Sequence, residues 1–457
     1  MSSMVEGKED ASNTLFSLTD NKREMVDEDR ARELVAAALG DRDPASFTRV
    51  RLSNKSYSAE AAAVIGEALE KMTGVTEVDF SDIIAGRPKE VGLKVLAAVC
   101  GGVRDREQLS YVDVSENAMG PDGVEACRPA IEGKKNLRAL FMCNDGLSEA
   151  AMEAVRDIVL KEVPTALRTL HFFNNMSGDL GAKALAQVLP HCPELTDFRF
   201  SGTRSGREGS AAVVKALREC PAVSAGLLVR LDLADNTLGE EGGQVLAEAL
   251  SSQPSLTYVN LRDCELGDEG ATVVAEALGA TALLVRDIDF SGNELTAEGA
   301  GAVASCAATK ASLEYLGLED NEIGSAGARL VAKALASTPA IRKVQLNSSE
   351  IGTSGVLAVA RSVQGKKDLQ RLELNGNGVS EDGLSRLNRI LESAGKLHVL
   401  GDMDDNDEDL ADEEEDEDEE GDDDLAAAGD GEDGVVSAPK DDGEIDELAA
   451  ALGAVSV

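Results

Sequence analysis

Few residues of this 457-residue chain could support chemistry of their own. The three histidines, His171, His191 and His398, lie far apart. None has another histidine or a cysteine at the i+3 or i+4 spacing that brings two ligands onto one metal. No GxxxxGK[ST] loop, no GxGxxG opening a helix after a strand and no GxSxG elbow is present. Two stretches stand out instead. In IIAGRPKEVG, Ile83 to Gly92, Arg87 and Lys89 follow Gly86 on either side of Pro88 in a chain of net charge −41. A guanidinium and an ammonium held on such a loop suit an acidic or phosphate-bearing surface, the former through a planar fork and the latter as a point charge. Two solvated charges in a tolerated insertion account for them equally well. The second stretch is LFMCNDGLSEAA, where Asn144 precedes Asp145. A side-chain amide there can donate and accept at once.

Both stretches belong to a repeat. Twelve segments share two alternating apolar positions, a turn with Asn or a substitute, another apolar residue, Gly, and an Ala-rich helical stretch. LDLADNTLGEEGGQVLAEAL from Leu231 is a clear copy. The turn position falls on Lys55, Ile83, Asn117, Asp145, Asn175, Thr203, Asn236, Cys264, Asn293, Asn321, Ser349 and Asn377, at intervals of 28 to 34 residues. Period-2 patterning gives way to helical spacing, as where Val245, Leu246 and Leu250 share a face. This predicts an α/β leucine-rich repeat solenoid, a crescent with a parallel sheet on its inner side, because strands stack about 4.8 Å apart and helices about 10 Å. The turn Asn reads as scaffold, its amide satisfying backbone groups of adjacent turns. Information about function then sits in the departures from the template.

Two intervals stand out above the 28-residue period: Ile83 to Asn117 by six, and Thr203 to Asn236 by five. The first is read as a lengthened strand-to-helix loop carrying Arg87 and Lys89. The second, around CPAVSAGLLVR, lies before the next strand and reads as structural. The residue before each turn position, among them Glu116, Asn144, Asn174, Asp235, Asp263 and Asp320, is expected on the rim of the sheet face. Such a ridge is either an ordinary solvated edge or a polar contact surface.

The expected organisation is a flexible extension over residues 1–24, a capped repeat domain over 25–398, and an acidic disordered tail over 399–457. Residues 401–457 hold 26 Asp and Glu against Lys440 alone, a net −25 of the −41. That composition cannot bury enough apolar area to fold by itself, and the tail is read as either a solubilising or an association-steering segment. The overall acidity argues against nucleic acid and anionic membranes as partners. Seven scattered cysteines without CxxC spacing read as reduced thiols, and no apolar run is long enough to span a membrane or to form a leader.

The stretches VDFSDIIAGRPKEV, LFMCNDGLSEAA, LHFFNNMSGDLGA and DFRFSGTRSGREG, with the acidic tail, resemble the Ran GTPase-activating proteins, most closely those of plants and algae. The resemblance covers roughly residues 20–425. It implies a regulator that stimulates GTP hydrolysis by the small GTPase Ran in support of nucleocytoplasmic transport. It also implies action by positioning Ran's own Gln, without an arginine finger. It implies Asn144 as the residue that positions that Gln, Arg87 and Lys89 as docking residues, and Asn174, Asn175 and Asp235 as weaker contacts on the same rim. No cofactor or metal of its own is implied, GTP and Mg being held by Ran. The partner it implies is Ran in its GTP form, joined by Ran-binding proteins as a further option, and the chain is expected to be monomeric. With no Trp present, the Trp-Pro-Pro envelope signal of land-plant members is missing. Cytoplasmic localisation is therefore expected, with the nuclear envelope as a second option. The rival from another class is a leucine-rich repeat binding scaffold or inhibitor without activating function.

Overall fold

The computed structural model describes residues 14–407 except 21 and 164. Thirteen strands form one parallel sheet, each pairing with the next in chain order from Leu15–Ser17 to Arg371–Glu373, and a helix follows nearly every strand on one face. This is the α/β leucine-rich repeat solenoid. Each three-residue strand turns its central residue inward, so Val50, Val78, Val112, Leu140 and Leu170 lie in register and are buried beneath the helices. The helices contribute Ala, Val and Leu. Small residues let neighbouring helices approach: a Cβ on Gly243 would lie 2.9 Å from the Cα of Gly270 one repeat on.

The turn asparagines carry the backbone accounting that short strands leave open. Asn293 Nδ2 donates to the carbonyls of Leu261 (2.8 Å), Phe290 (3.0 Å) and Ser291 (3.0 Å), while its Oδ1 accepts from the amides of Cys264 (3.1 Å) and Leu266 (3.2 Å). Asn117, Asn175, Asn236, Asn321 and Asn377 repeat the pattern. Two of the substitutes keep the donor half: Ser349 Oγ reaches the carbonyls of Leu318 (3.1 Å) and Asn347 (3.0 Å), and Cys264 Sγ that of Leu233 (3.4 Å).

Three boundaries differ from the sequence reading. Residues 1–24 are not an extension throughout, because Leu15–Ser17 is the first strand of the sheet and Phe16 is fully buried against Phe47. The stretch LFSLTDN fits the strand template one unit before the twelve aligned copies. At the other end the repeat domain does not stop at 398. Asn406 Oδ1 accepts from the Asn377 amide (3.1 Å), taking the place of a thirteenth turn residue, and Gly401 N donates to Leu372 O (2.8 Å). The remainder of the acidic tail lies outside the described residues. The surplus after Ile83 is also shared out: the helix Lys89–Gly101 begins six residues after Ile83, against three or four after the other turn positions, and the rest of the excess follows that helix. The second surplus forms a short extra helix, Pro221–Ser224, ahead of the strand Arg230–Asp232.

Candidate functional site

The ridge has a backbone cause. All twelve residues that precede the turn positions adopt left-handed backbone, with φ between 49° and 69°. That region disfavours most L-residues and is tolerated best by Gly, Asn and Asp. Accordingly seven of the twelve are Asn or Asp, three are Gly, and only Ser348 and Glu116 depart from those types. The polar composition of the ridge is therefore partly a conformational requirement. The same geometry carries each such side chain past the strand end, away from the buried turn residue that follows.

Asn144 and Asn174 meet on this ridge. The Asn174 Nδ2 group donates to Asn144 Oδ1, and Asn144 Nδ2 donates to Glu116 Oε1, a carboxylate–amide–amide chain across three successive repeats. Main-chain bonds run alongside, from Glu116 N to Cys143 O (2.8 Å), Asn144 N to Phe173 O (2.8 Å) and Asn174 N to Ser201 O (2.9 Å). Glu116 was visible in the sequence only as one member of the rim; its length, unique among the twelve ridge residues, was the available signal.

Asn175 requires correction. It is 2% exposed, its Oδ1 accepts from Asp145 N (3.2 Å) and Leu147 N (3.1 Å), and its Nδ2 donates to Met142 O (2.9 Å). It is a ladder residue with no face for a partner. Its neighbour Asn174, exposed by the left-handed turn, takes the outward place.

Asp145 occupies a turn position as a fully buried acid. Its Oδ1 accepts from Asn117 N (2.8 Å), while its Oδ2 lacks a hydrogen-bond partner. In Asn117 the corresponding Nδ2 donates to three carbonyls, so an ionised oxygen at this place would face acceptors. Burial pushes the Asp145 carboxyl well above the usual range, with Cys127, Asp113 and Glu116 adding to the rise. As a neutral acid it can donate where the amide does. Nearby Asp113 is likewise raised, to about 6, by burial.

Arg87 and Lys89 part company. The Arg87 side chain turns back to the preceding repeat, where Nε donates to Ser56 Oγ (2.9 Å) and Nη2 to Ser56 O (2.6 Å). Ser56 Oγ in turn donates to Ala85 O (2.7 Å), so the loop is braced through Gly86, itself at φ 72°. Lys89 is not in the loop: it opens the helix after Pro88, is exposed, and pairs with Asp122 at 2.6 Å. Their repeat lies two strands from that of Asn144, about 10 Å at ordinary strand spacing. Asp235 stands three strands to the other side, about 15 Å away. It is exposed at a hollow of about 380 Å³ lined by Arg204, Thr237, Asp263 and Glu265. The site residues named from sequence thus fall into one bonded pair, Asn144 and Asn174, an arginine braced in its loop, a lysine opening the next helix, a buried turn asparagine and an outlying carboxylate.

The histidine reading can be checked at one place. His171 Nε2 lies 2.8 Å from Asp197 Oδ1 and its ring packs edge-on against Phe141, a satisfied residue of the sheet face. Among the described residues no group of three His, Cys, Asp or Glu is arranged to hold a metal ion, and no helix is long and apolar enough to cross a membrane.

Comparison with known proteins agrees with this architecture. The Leucine Rich repeat family profile matches residues 227–247 and 252–275. The chain is 37% identical over 128 residues to RAN GTPase-activating protein 1 of Arabidopsis thaliana and 33% identical over 130 residues to RAN GTPase-activating protein 2 of the same plant. Each match covers 28% of this chain and 23% of the relative. Ran GTPase-activating protein 1 of Xenopus laevis is 28% identical over 165 residues, 34% of this chain and 27% of that protein. The chain spans about a quarter of the length of the curated relatives it matches. With its thirteen-stranded parallel sheet and stacked turn asparagines, the chain is a leucine-rich repeat solenoid whose curated homologues are Ran GTPase-activating proteins.

Proposed function

We propose that this chain stimulates GTP hydrolysis by the small GTPase Ran, as a regulator acting on its partner's active site. The observation that carries the reading is the 37% identity over 128 residues to a plant protein named for that activity. GTPases of this class use a Gln of their own to orient the attacking water, and in many cases an activator adds an arginine. Here the amide of Asn144 is assigned the contact that holds Ran's Gln, a positioning effect. Its two bonds on the ridge occupy one N–H and one lone pair, leaving one of each for a partner amide.

Arg87 is assigned to docking. Its two bonds to Ser56 support that role over a mobile finger, because a guanidinium already braced to its own chain is costly to redeploy. Lys89, Asn174 and Asp235 supply further contacts. GTP and Mg belong to Ran, which binds in its GTP form. Ran-binding proteins join in some complexes, and the monomeric chain works in the cytoplasm, with the nuclear envelope as a second address. The test is single-turnover GTP hydrolysis by Ran with this protein in substoichiometric amount. Multiple rounds of accelerated phosphate release support the proposal. Release at the intrinsic rate, together with binding, would instead make the chain a scaffold or inhibitor.

A further inference from the structure

The ridge before the turn asparagines contains one anomaly. Of its twelve left-handed positions, only that of Glu116 holds a long side chain; the others hold Asn, Asp, Gly or Ser, while Glu265, Glu294 and Glu350 adopt such backbone outside the ridge. A Glu in this region gains nothing from its backbone, since the residues enriched there are Asn and Asp, with Gly freest of all. What Glu116 does possess is a carboxylate bonded to the Asn144 amide.

We propose that Glu116 is a positioning residue that sets the orientation of the Asn144 amide, and that Asn174 closes the other side. This rests on the role given to Asn144 above. An asparagine side chain is nearly symmetric in shape but not in chemistry, and rotation by half a turn exchanges its donor and acceptor ends. An ionised carboxylate only accepts, so the face of Asn144 toward Glu116 must be the NH₂ group. The opposite face, Oδ1, then receives the Asn174 NH₂. Asn174 alone could not impose this, because its own amide can turn to offer either end. The direction of the whole chain is thus dictated by its single charged member. The outcome is an Asn144 amide with its remaining N–H and lone pair presented in fixed positions. That disposition suits a primary amide on the partner, which can accept at one atom and donate at the other.

The placement is not one that a structural role requires. Glu116 is exposed, its main-chain amide is satisfied by Cys143 O at 2.8 Å, and the same backbone is built at Gly202, Gly292 and Gly376 without a side chain. Glu116→Gly therefore removes the carboxylate while suiting the conformation. Glu116→Asp keeps an acceptor-only group on a side chain as short as that of Asn174, which spans the next interval of the ridge.

The experiment is single-turnover hydrolysis by Ran across a range of protein concentration, with wild type, E116G, E116D, N144A and the double variant E116G/N144A. The expected result is a fall of about tenfold in the rate at saturation for E116G, with the half-saturating concentration moved less than about twofold. E116D recovers most of the loss, and the double variant is no slower than N144A. A wild-type saturating rate in E116G beside a slow N144A overturns the proposal, as does a loss that adds in full to that of N144A. The side-chain NH₂ resonances of Asn144, identified by their disappearance in N144A, provide a readout without Ran. They should shift in E116G and return toward wild type in E116D. Unchanged resonances in E116G refute the clamp even where hydrolysis is affected. If wild type fails to accelerate Ran at all, the activator reading falls, and the resonance measurement still decides the clamp.

Discussion

Two lengths of the same ridge use one backbone for different chemistry. Between Glu116 and Asn174 the outward residues bond to one another through amides and keep a donor and an acceptor unused. Farther along, Asp263 and Asp320, on either side of Gly292, are carboxylates gathered by one guanidinium: Arg262 bonds Asp263 (3.2 Å), Asp320 (2.7 Å) and the neighbouring Glu319. The φ angles of Asn144 and Asp320, 54° and 55°, are indistinguishable. The left-handed turn therefore selects short polar residues, and the neighbours decide whether the edge is engaged or available. An ion-pair fork saturates its acids; an amide chain pinned at one end leaves valence for a partner.

The sharpest way to break the comparison is to truncate both lengths. Asn144→Ala is expected to lower the saturating rate of Ran GTP hydrolysis by about 100-fold with little change in association, the scale of losing one preorganised polar contact. Asp320→Ala should stay within about twofold in the same single-turnover assay. Equal effects at the two sites would erase the distinction.

The turn residues beneath the ridge offer a reciprocal exchange. Asp145 is an acid where Asn321 is an amide, and both are buried. The carboxyl of Asp145 is raised in the folded state, so the fold holds a proton that the unfolded chain releases above about pH 4. Stability from this group is complete below that pH and declines as pH rises. Asp145→Asn should remove this decline and add about 1–2 kcal/mol near neutrality, whereas Asn321→Asp should create a decline and cost about 2 kcal/mol. Urea denaturation between pH 4 and 8 reads both. A slope between about 4 and 6 should persist in each variant, because Asp113 titrates near 6.

Smaller effects are expected at the two arginines. Arg87→Ala should weaken association with Ran by about tenfold without changing the saturating rate, since its assigned role is docking. A lowered saturating rate with normal association would make it a transition-state residue instead. Arg262→Ala should leave hydrolysis unchanged and cost about 1 kcal/mol or less, because its side chain is one-third exposed and its ion pairs are partly screened. A larger loss of activity there would show that the acidic length of the ridge also meets the partner.

The repeat was legible residue by residue. LDLADN and its copies announce strand, turn and ladder within one segment, because alternation along a strand and an amide facing its own turn are local properties. The two ends were harder to read. LFSLTDN stands apart from the aligned copies, and Asn406 sits in an acidic stretch whose composition suggested disorder, yet its side chain completes the last turn. The loop around Arg87 was recognisable by its length, but the return of its guanidinium to Ser56, 31 residues earlier, was not.

What composition and spacing already contained was the solenoid, its register and the identity of the polar edge. What required the folded chain was the separation of neighbours. Asn174 and Asn175 are the same residue type side by side, and a left-handed φ of 51° at the first exposes it while the second is buried in the ladder. Equally, the repeat register puts Glu116 and Asn144 one period apart on the ridge, but the bond between their side chains is not written in it. Stacking of successive turns makes them neighbours, and the direction of a hydrogen bond between them follows from which group can only accept.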